Sequence, residues 1–86
     1  MVNIPVWSVR KAEPHNDYTI TLTFQDGSVR LYDAKPLLAL AIYEPLRNPG
    51  FFMQARAECG TVVWNDDVDI APEHLYEASR VLRLQK

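Results

Sequence analysis

The chain reads as an α+β domain: an antiparallel sheet of two hairpins plus an N-terminal strand, a short central helix, and a C-terminal helix packed on the sheet. Three observations predict this. Tyr18 to Phe24 alternates strictly, Tyr-Thr-Ile-Thr-Leu-Thr-Phe, which is the period of a half-buried strand. Asp26-Gly27 follows it directly and favours a hairpin turn at positive φ. Pro72 opens a stretch with Leu75, Ala78 and Leu82 on one helical stripe.

The elements follow in chain order. A short strand is expected around Pro5 to Val9, with Val6 and Trp7 as its bulky members, ended by the turn residues Glu13-Pro14-His15-Asn16-Asp17. Tyr18, Ile20, Leu22 and Phe24 form the core face of the next strand. With Asp26-Gly27 as a two-residue turn, Phe24 lies opposite Val29 and Leu22 opposite Leu31. Thr23 then faces Arg30 and Thr21 faces Tyr32, so Thr19, Thr21, Thr23, Arg30 and Tyr32 share the outer side. Asp33 is placed to cap a short helix over Lys35 to Leu40, with Pro36 in its first turn. A second hairpin pairs Phe52 to Ala57 with Thr61 to Trp64; a Cys59-Gly60 turn sets Ala57 against Val62 and Ala55 against Trp64. The last helix is expected from Pro72 to about Leu84, with Glu73 near its positive end and Arg80, Arg83 and Lys86 near its negative end.

Bulk composition narrows the functional classes. Eighty-six residues with 48% hydrophobic and 23% charged content make one ordinary globular domain, so no internal boundary is placed. Nine Lys+Arg against eleven Asp+Glu leave a net charge of −2. Direct nucleic-acid binding, which draws affinity from a basic excess, is therefore not expected. Cys59 is the single cysteine, which excludes an internal disulfide and a multi-cysteine zinc site. The longest apolar run, Leu37 to Tyr43, is too short for a membrane helix, and the first residues lack the pattern of a secretory signal. A cytoplasmic protein without membrane contact is the expectation.

The acidic stretch Asn65-Asp66-Asp67-Val68-Asp69 has the density of a calcium loop but not its register. Counting from Asn65, the sixth position is Ile70 where glycine is needed, and the twelfth is Tyr76 where a bidentate Glu belongs. Asn65 to Asp67 reads as a polar turn, and Asp69 as the carboxylate accepting the first free amides of the last helix. His74 and Glu77 share a helix face, but an HExxH pattern is absent and His15 is remote. Cys59 sits beside Glu58, whose charge opposes thiolate formation. No G-x-S-x-G, phosphate-binding glycine loop or dinucleotide fingerprint occurs. The sequence thus predicts no enzyme, no cofactor and no metal. Trp7, Tyr43, Phe51, Phe52, Trp64 and Tyr76 are many bulky groups for so small a core; any left exposed would mark a partner or self-association face.

The run V.SV..AEP..DY...L.F.DG..R.YD..PLL, then Y.PL.....F, then GTVVWNDDVDIAPEHLYE resembles the bacterial domain-of-unknown-function family 2442 from Val6 to about Ser79. Phe24-Gln25-Asp26-Gly27, Pro36-Leu37-Leu38, Val63-Trp64 and Asp69 to Glu73 with Leu75 carry the likeness. Members usually have glycine in the turn after the tryptophan; Asp66-Asp67 stands there in this chain, implying a different turn on the same fold. The resemblance implies a small α+β domain with no catalytic residues to carry over. Some relatives continue into a helix-turn-helix domain, which a chain ending at Lys86 does not hold. Others look free-standing beside small toxin-like or regulatory genes, which implies a partner protein.

The functional expectation is a non-enzymatic interaction or regulatory module, binding a partner protein or itself, with Trp64, Asp69, Pro72, Tyr32 and Tyr43 as its interaction or structural signature. The alternatives are a small-ligand or metal site on the acidic turn 65–69 with His74, and an accessory to a DNA-binding partner.

Overall fold

The computed structural model describes residues 7–65 and 68–83. Strands β1 (Val9–Pro14), β2 (Thr19–Phe24) and β3 (Val29–Asp33) lead into two 3-10 turns, Lys35–Ala39 and Ala41–Arg47, and the one-turn helix α1 (Pro49–Phe52). Strands β4 (Arg56–Glu58), β5 (Thr61–Asn65) and β6 (Val68–Ile70), helix α2 (Pro72–Ala78) and strand β7 (Arg80–Arg83) complete the order. The α+β class is as predicted. The strands form two antiparallel sheets, however, ordered β1-β2-β3-β7 and β4-β5-β6, where the sequence predicted one.

The alternation in β2 does what its period requires: Ile20, Leu22 and Phe24 are fully buried, and Thr19, Thr21 and Thr23 are half-buried on the other face. The β2–β3 register is one residue away from the expected one, pairing Thr23 with Val29, Leu22 with Arg30, Thr21 with Leu31 and Ile20 with Tyr32. The turn is the cause. Gly27 alone is at positive φ (86°); its N–H reaches the Phe24 carbonyl at 2.9 Å, and the Phe24 N–H reaches Ser28 O at 3.0 Å. Gln25, Asp26 and Gly27 therefore form a three-residue loop with a glycine bulge, not a two-residue turn. Because strand side chains alternate, a one-residue slip exchanges the faces. Tyr32, expected outside with the threonines, is 3% exposed and belongs to the core.

The second hairpin keeps its predicted register: Ala57 pairs with Val62 across Cys59 (φ 54°) and Gly60 (φ 82°), the two positive-φ residues of a two-residue turn. Its first strand is shorter than expected. Phe52 lies in α1 because Asn48 caps that turn, its Oδ1 accepting the Gly50 and Phe51 N–H groups at 2.9 and 3.4 Å, with Pro49 at the first helical position. At the start of the chain, β1 runs Val9–Pro14 instead of Pro5–Val9; residues 5 and 6 lie outside the described residues. The chain reverses at His15 to Tyr18, where Asp17 Oδ1 accepts both the N–H and the hydroxyl of Thr19.

The C-terminal segment departs most from expectation. Helix α2 stops at Ala78, and Arg80–Arg83 pair with β3. Leu75 is buried, whereas Ala78 and Leu82, expected on the same stripe, are exposed. Ser79 has extended dihedrals and returns its hydroxyl to the Tyr76 carbonyl, which ends the helix and releases the chain towards the open edge of β3. Asp69 does not cap α2: it pairs with Val63 inside β6, and the N-cap position is Ala71, without a side-chain bond. Asp33 comes nearer its expected role. It accepts the Lys35 N–H at 3.0 Å, although the cap position itself is Ala34.

One core joins the layers. Ile20, Leu22, Phe24 and Tyr32 from the first sheet meet Val62, Trp64, Val68 and Ile70 from the second, with Leu37, Leu46, Phe52 and Leu75 filling between. The sheets are also tied by backbone, since Val9 N–H donates to Gly60 O at 2.8 Å. Helix α2 is fastened to the β2–β3 loop by polar groups. Tyr76 Oη donates to Asp26 Oδ2, and the Arg30 guanidinium lies 3.8 Å from the Tyr76 ring centre while donating to the Tyr76 carbonyl.

Candidate functional site

A groove runs between the 3-10 segment and helix α2. It consists of two adjoining cavities of about 320 and 250 Å3 that share Leu37, Leu40 and His74. Tyr32, Pro36 and Ala78 line one side, and Tyr43, Ile70 and Ala71 the other. The local sequence explains the wall. Leu37 lies in the first 3-10 turn, Leu40 is the extended residue that joins the two turns, and Tyr43 sits at the kink of the second, so the three follow one another along the wall. Leu37 anchors that row in the core, Leu40 is half exposed at 50%, and beside it Ile42 is 72% exposed. On the facing side, the first turn of α2 presents Ala71 and His74.

The polar groups of the groove are occupied by one another. Tyr32 Oη and His74 Nε2 are 2.9 Å apart, with their rings nearly perpendicular. Tyr43 Oη donates to the Asp69 carbonyl at 3.0 Å. Burial, with the neighbouring Tyr43 and Asp33 adding to it, pushes the Tyr32 hydroxyl up to about 12. Burial likewise raises Tyr43, helped by Asp69. Both phenols therefore keep their protons at neutral pH. What remains on the surface is apolar wall bounded by satisfied hydroxyls.

The structure brings Tyr32 and Tyr43 to this one groove, with the Asp69 carbonyl bonded to Tyr43; Pro72, between the lining residues Ala71 and His74, does not line it. Trp64 is not brought there either: it is 1% exposed and donates its indole N–H to the Phe52 carbonyl at 3.1 Å, a core role. None of the six bulky aromatics singled out in the sequence is exposed; the exposed apolar groups are aliphatic. Phe52 and Trp64 are buried, Trp7, Tyr43, Phe51 and Tyr76 are half-buried, and among the described residues the exposed large apolar ones are Leu40, Ile42, Met53, Val81 and Leu82. Sequence reasoning missed His74 as a partner of Tyr32, and missed the exposed Leu40 and Ile42 by treating Lys35 to Leu40 as an ordinary helix. No local period marks these residues, because the extended Leu40 separates the two 3-10 turns.

Asp66 and Asp67 of the acidic turn lie outside the described residues. Among the described residues no three His, Cys, Asp or Glu side chains gather closely enough to hold a metal ion. His15 Nε2 bonds to Thr21 Oγ1 at 2.6 Å, and Cys59 is an exposed turn residue. No helix among the described residues is long and apolar enough to cross a membrane.

No match to the chain was found among curated proteins or among solved structures. The model of one family, described as protein of unknown function (DUF2442), matches residues 9–81, which spans both sheets, the groove and the first residues of β7. The chain belongs to the DUF2442 family.

Proposed function

We propose that the domain is a non-enzymatic interaction module that receives a partner protein on the groove between the 3-10 segment and α2. The observation that carries this reading is the half-exposed Leu40 on the wall of an apolar groove whose hydroxyls are already bonded internally, with the exposed Ile42 two residues further along the chain. Buried apolar anchors beside a satisfied polar rim are the usual composition of a protein interface core. A cytoplasmic setting accords with a single exposed cysteine that has no disulfide partner.

The test is affinity purification of the tagged chain from its own cells, beside a Leu40→Glu, Ile42→Glu double variant of equal melting temperature. A stoichiometric companion chain that the variant loses is the expected result. A companion retained by the variant, or a bare chain from both, rejects the groove as a protein-docking site. Light scattering on the pure chain checks the self-association form of the idea, which a strict monomer at high concentration removes. The cavity volumes favour one second reading, a small apolar ligand in the same groove, because they approach the lower end of ligand-sized pockets. Native mass spectrometry showing a bound apolar compound on the purified chain would favour it.

A further inference from the structure

The groove does not end beside Tyr32. A third cavity, of about 260 Å3, is lined by Thr19, Leu31, Asp33, Lys35, Ala78 and Arg80, and it shares Asp33 and Ala78 with the cavity beside Tyr32. Strand register explains its walls. Thr19 lies opposite Asp33 and Leu31 opposite Arg80, so these four share the outer face of the first sheet, away from Tyr32. Ala78, the last residue of α2, joins that face to the groove. The chemistry changes along the way. Among the described residues neither apolar cavity is lined by a Lys or Arg, whereas Lys35 and Arg80 against Asp33 leave the third with one positive charge in excess. The fold makes little use of those cations. The Lys35 ammonium is 3.9 Å from Asp33 Oδ1 with both side chains more than half exposed, a pair worth little in water. Arg80 is exposed, and its side chain has no hydrogen bond or ion pair among the described residues.

We propose that the partner segment received by the groove carries an Asp or Glu beside its apolar residues, and that this side-chain carboxylate seats in the third cavity with Lys35 and Arg80. The inference rests on the protein-docking reading of the groove and adds the chemistry and the orientation of what docks there. Apolar side chains of the segment cover Leu37, Leu40 and Ile70, and the acidic one lies past Ala78, at a rim where a charge keeps part of its water. A rim pair of this kind fixes register and partner choice more than affinity. A side-chain carboxylate fits the third cavity better than a chain terminus does. Termini are captured by free backbone amides, and here the Lys35 N–H is given to Asp33 Oδ1 and the Ser79 N–H to the Leu75 carbonyl. The donors left to an incoming anion are the two long side chains.

The experiment is a selection of phage-displayed random dodecapeptides on the immobilised full chain. It runs in parallel on a Lys35→Gln, Arg80→Gln double variant and on Leu40→Glu, all exposed substitutions, each matched to the natural chain in melting temperature. The natural chain is expected to enrich peptides with two apolar residues flanked on one side by Asp or Glu. The double variant should keep the apolar pair and lose the acidic flank, and Leu40→Glu should enrich neither. In the best selected peptide, changing the acidic residue to its amide should weaken binding about two- to fivefold at low salt, the worth of an exposed charge pair, and have no effect at about 1 M salt. Apolar enrichment without an acidic flank, or an acidic flank that survives in the double variant, overturns the inference and leaves the groove reading standing. No enrichment over an unrelated protein, or enrichment that Leu40→Glu retains, overturns both.

Discussion

Replacing Tyr32 by Phe removes one oxygen and tests both the corrected register and the electrostatics of the groove. The hydroxyl sits on a 3% exposed residue and meets His74 Nε2 at 2.9 Å, so at neutral pH its loss should cost about 1 kcal/mol, the worth of one ordinary hydrogen bond. The larger signature is alkaline. The folded-state value of about 12 lies above the ordinary value of 10.0. Below the unfolded value both states hold the proton, and the contribution of Tyr32 to stability is fully present. As pH rises towards the folded value, the unfolded chain releases its proton first and that contribution is lost. Two pH units at about 1.36 kcal/mol each set an upper limit near 2.7 kcal/mol, which water at the groove mouth reduces to about 1–2 kcal/mol. Urea melts followed by circular dichroism at neutral pH and at steps towards pH 11 would show a steep alkaline decline in the natural chain and a shallower one in Tyr32→Phe. Identical slopes would refute the burial of this hydroxyl, and with it the one-residue slip of the β2–β3 hairpin.

Other substitutions check the remaining assignments. Trp64→Phe should destabilise by about 2–3 kcal/mol, from a lost indole bond and a void in the core; Ala55 N–H still serves the Phe52 carbonyl, which limits the loss. A chemical-denaturation difference below about 1 kcal/mol would remove Trp64 from the core. Asp69→Ala should be silent within about 0.5 kcal/mol, because this exposed side chain caps nothing. A loss near 1 kcal/mol in the same assay would restore the cap. Gly60→Ala should cost about 1–3 kcal/mol, since φ is 82° and a Cβ would approach Ser8 Oγ to 2.6 Å. Adding Ser8→Gly should recover the steric part of that cost and leave the backbone part, a split that thermal melts of the single and double variants would resolve.

What the sequence disclosed was local in origin. The threonine alternation of β2 is legible because each residue reports its own face, and the Cys59-Gly60 turn because its two dihedrals are written in two adjacent residues. The Asp26-Gly27 loop was misread by one residue because the same pair serves a two-residue turn and a three-residue loop. The choice between them is made by the core, which accepts Tyr32 beside Ile20. Strand β7 was illegible for a related reason. Arg, Leu, Gln and Lys favour helix locally, and only the open edge of β3, distant in sequence, turns Arg80–Arg83 into a strand. For the groove, Tyr32 and Tyr43 were singled out for bulk and proved to be neighbours. Pairing Tyr32 with His74 requires β3 and α2 to meet, which no spacing announces.

The union of β3 with β7 bears on the order in which the molecule assembles. The first three strands are contiguous hairpins and can pair as soon as they exist, but the partner of Leu31 is Arg80, with the whole second sheet between them in sequence. During synthesis the outer side of β3 must wait, bare, until everything else has been made. Closing so long a loop is slow compared with hairpin formation. Folding should therefore show a late step that adds β7, and a chain halted before it would offer β3 itself to its neighbours, so that misassembly between nascent copies, more than loss of the core, is the hazard this topology carries.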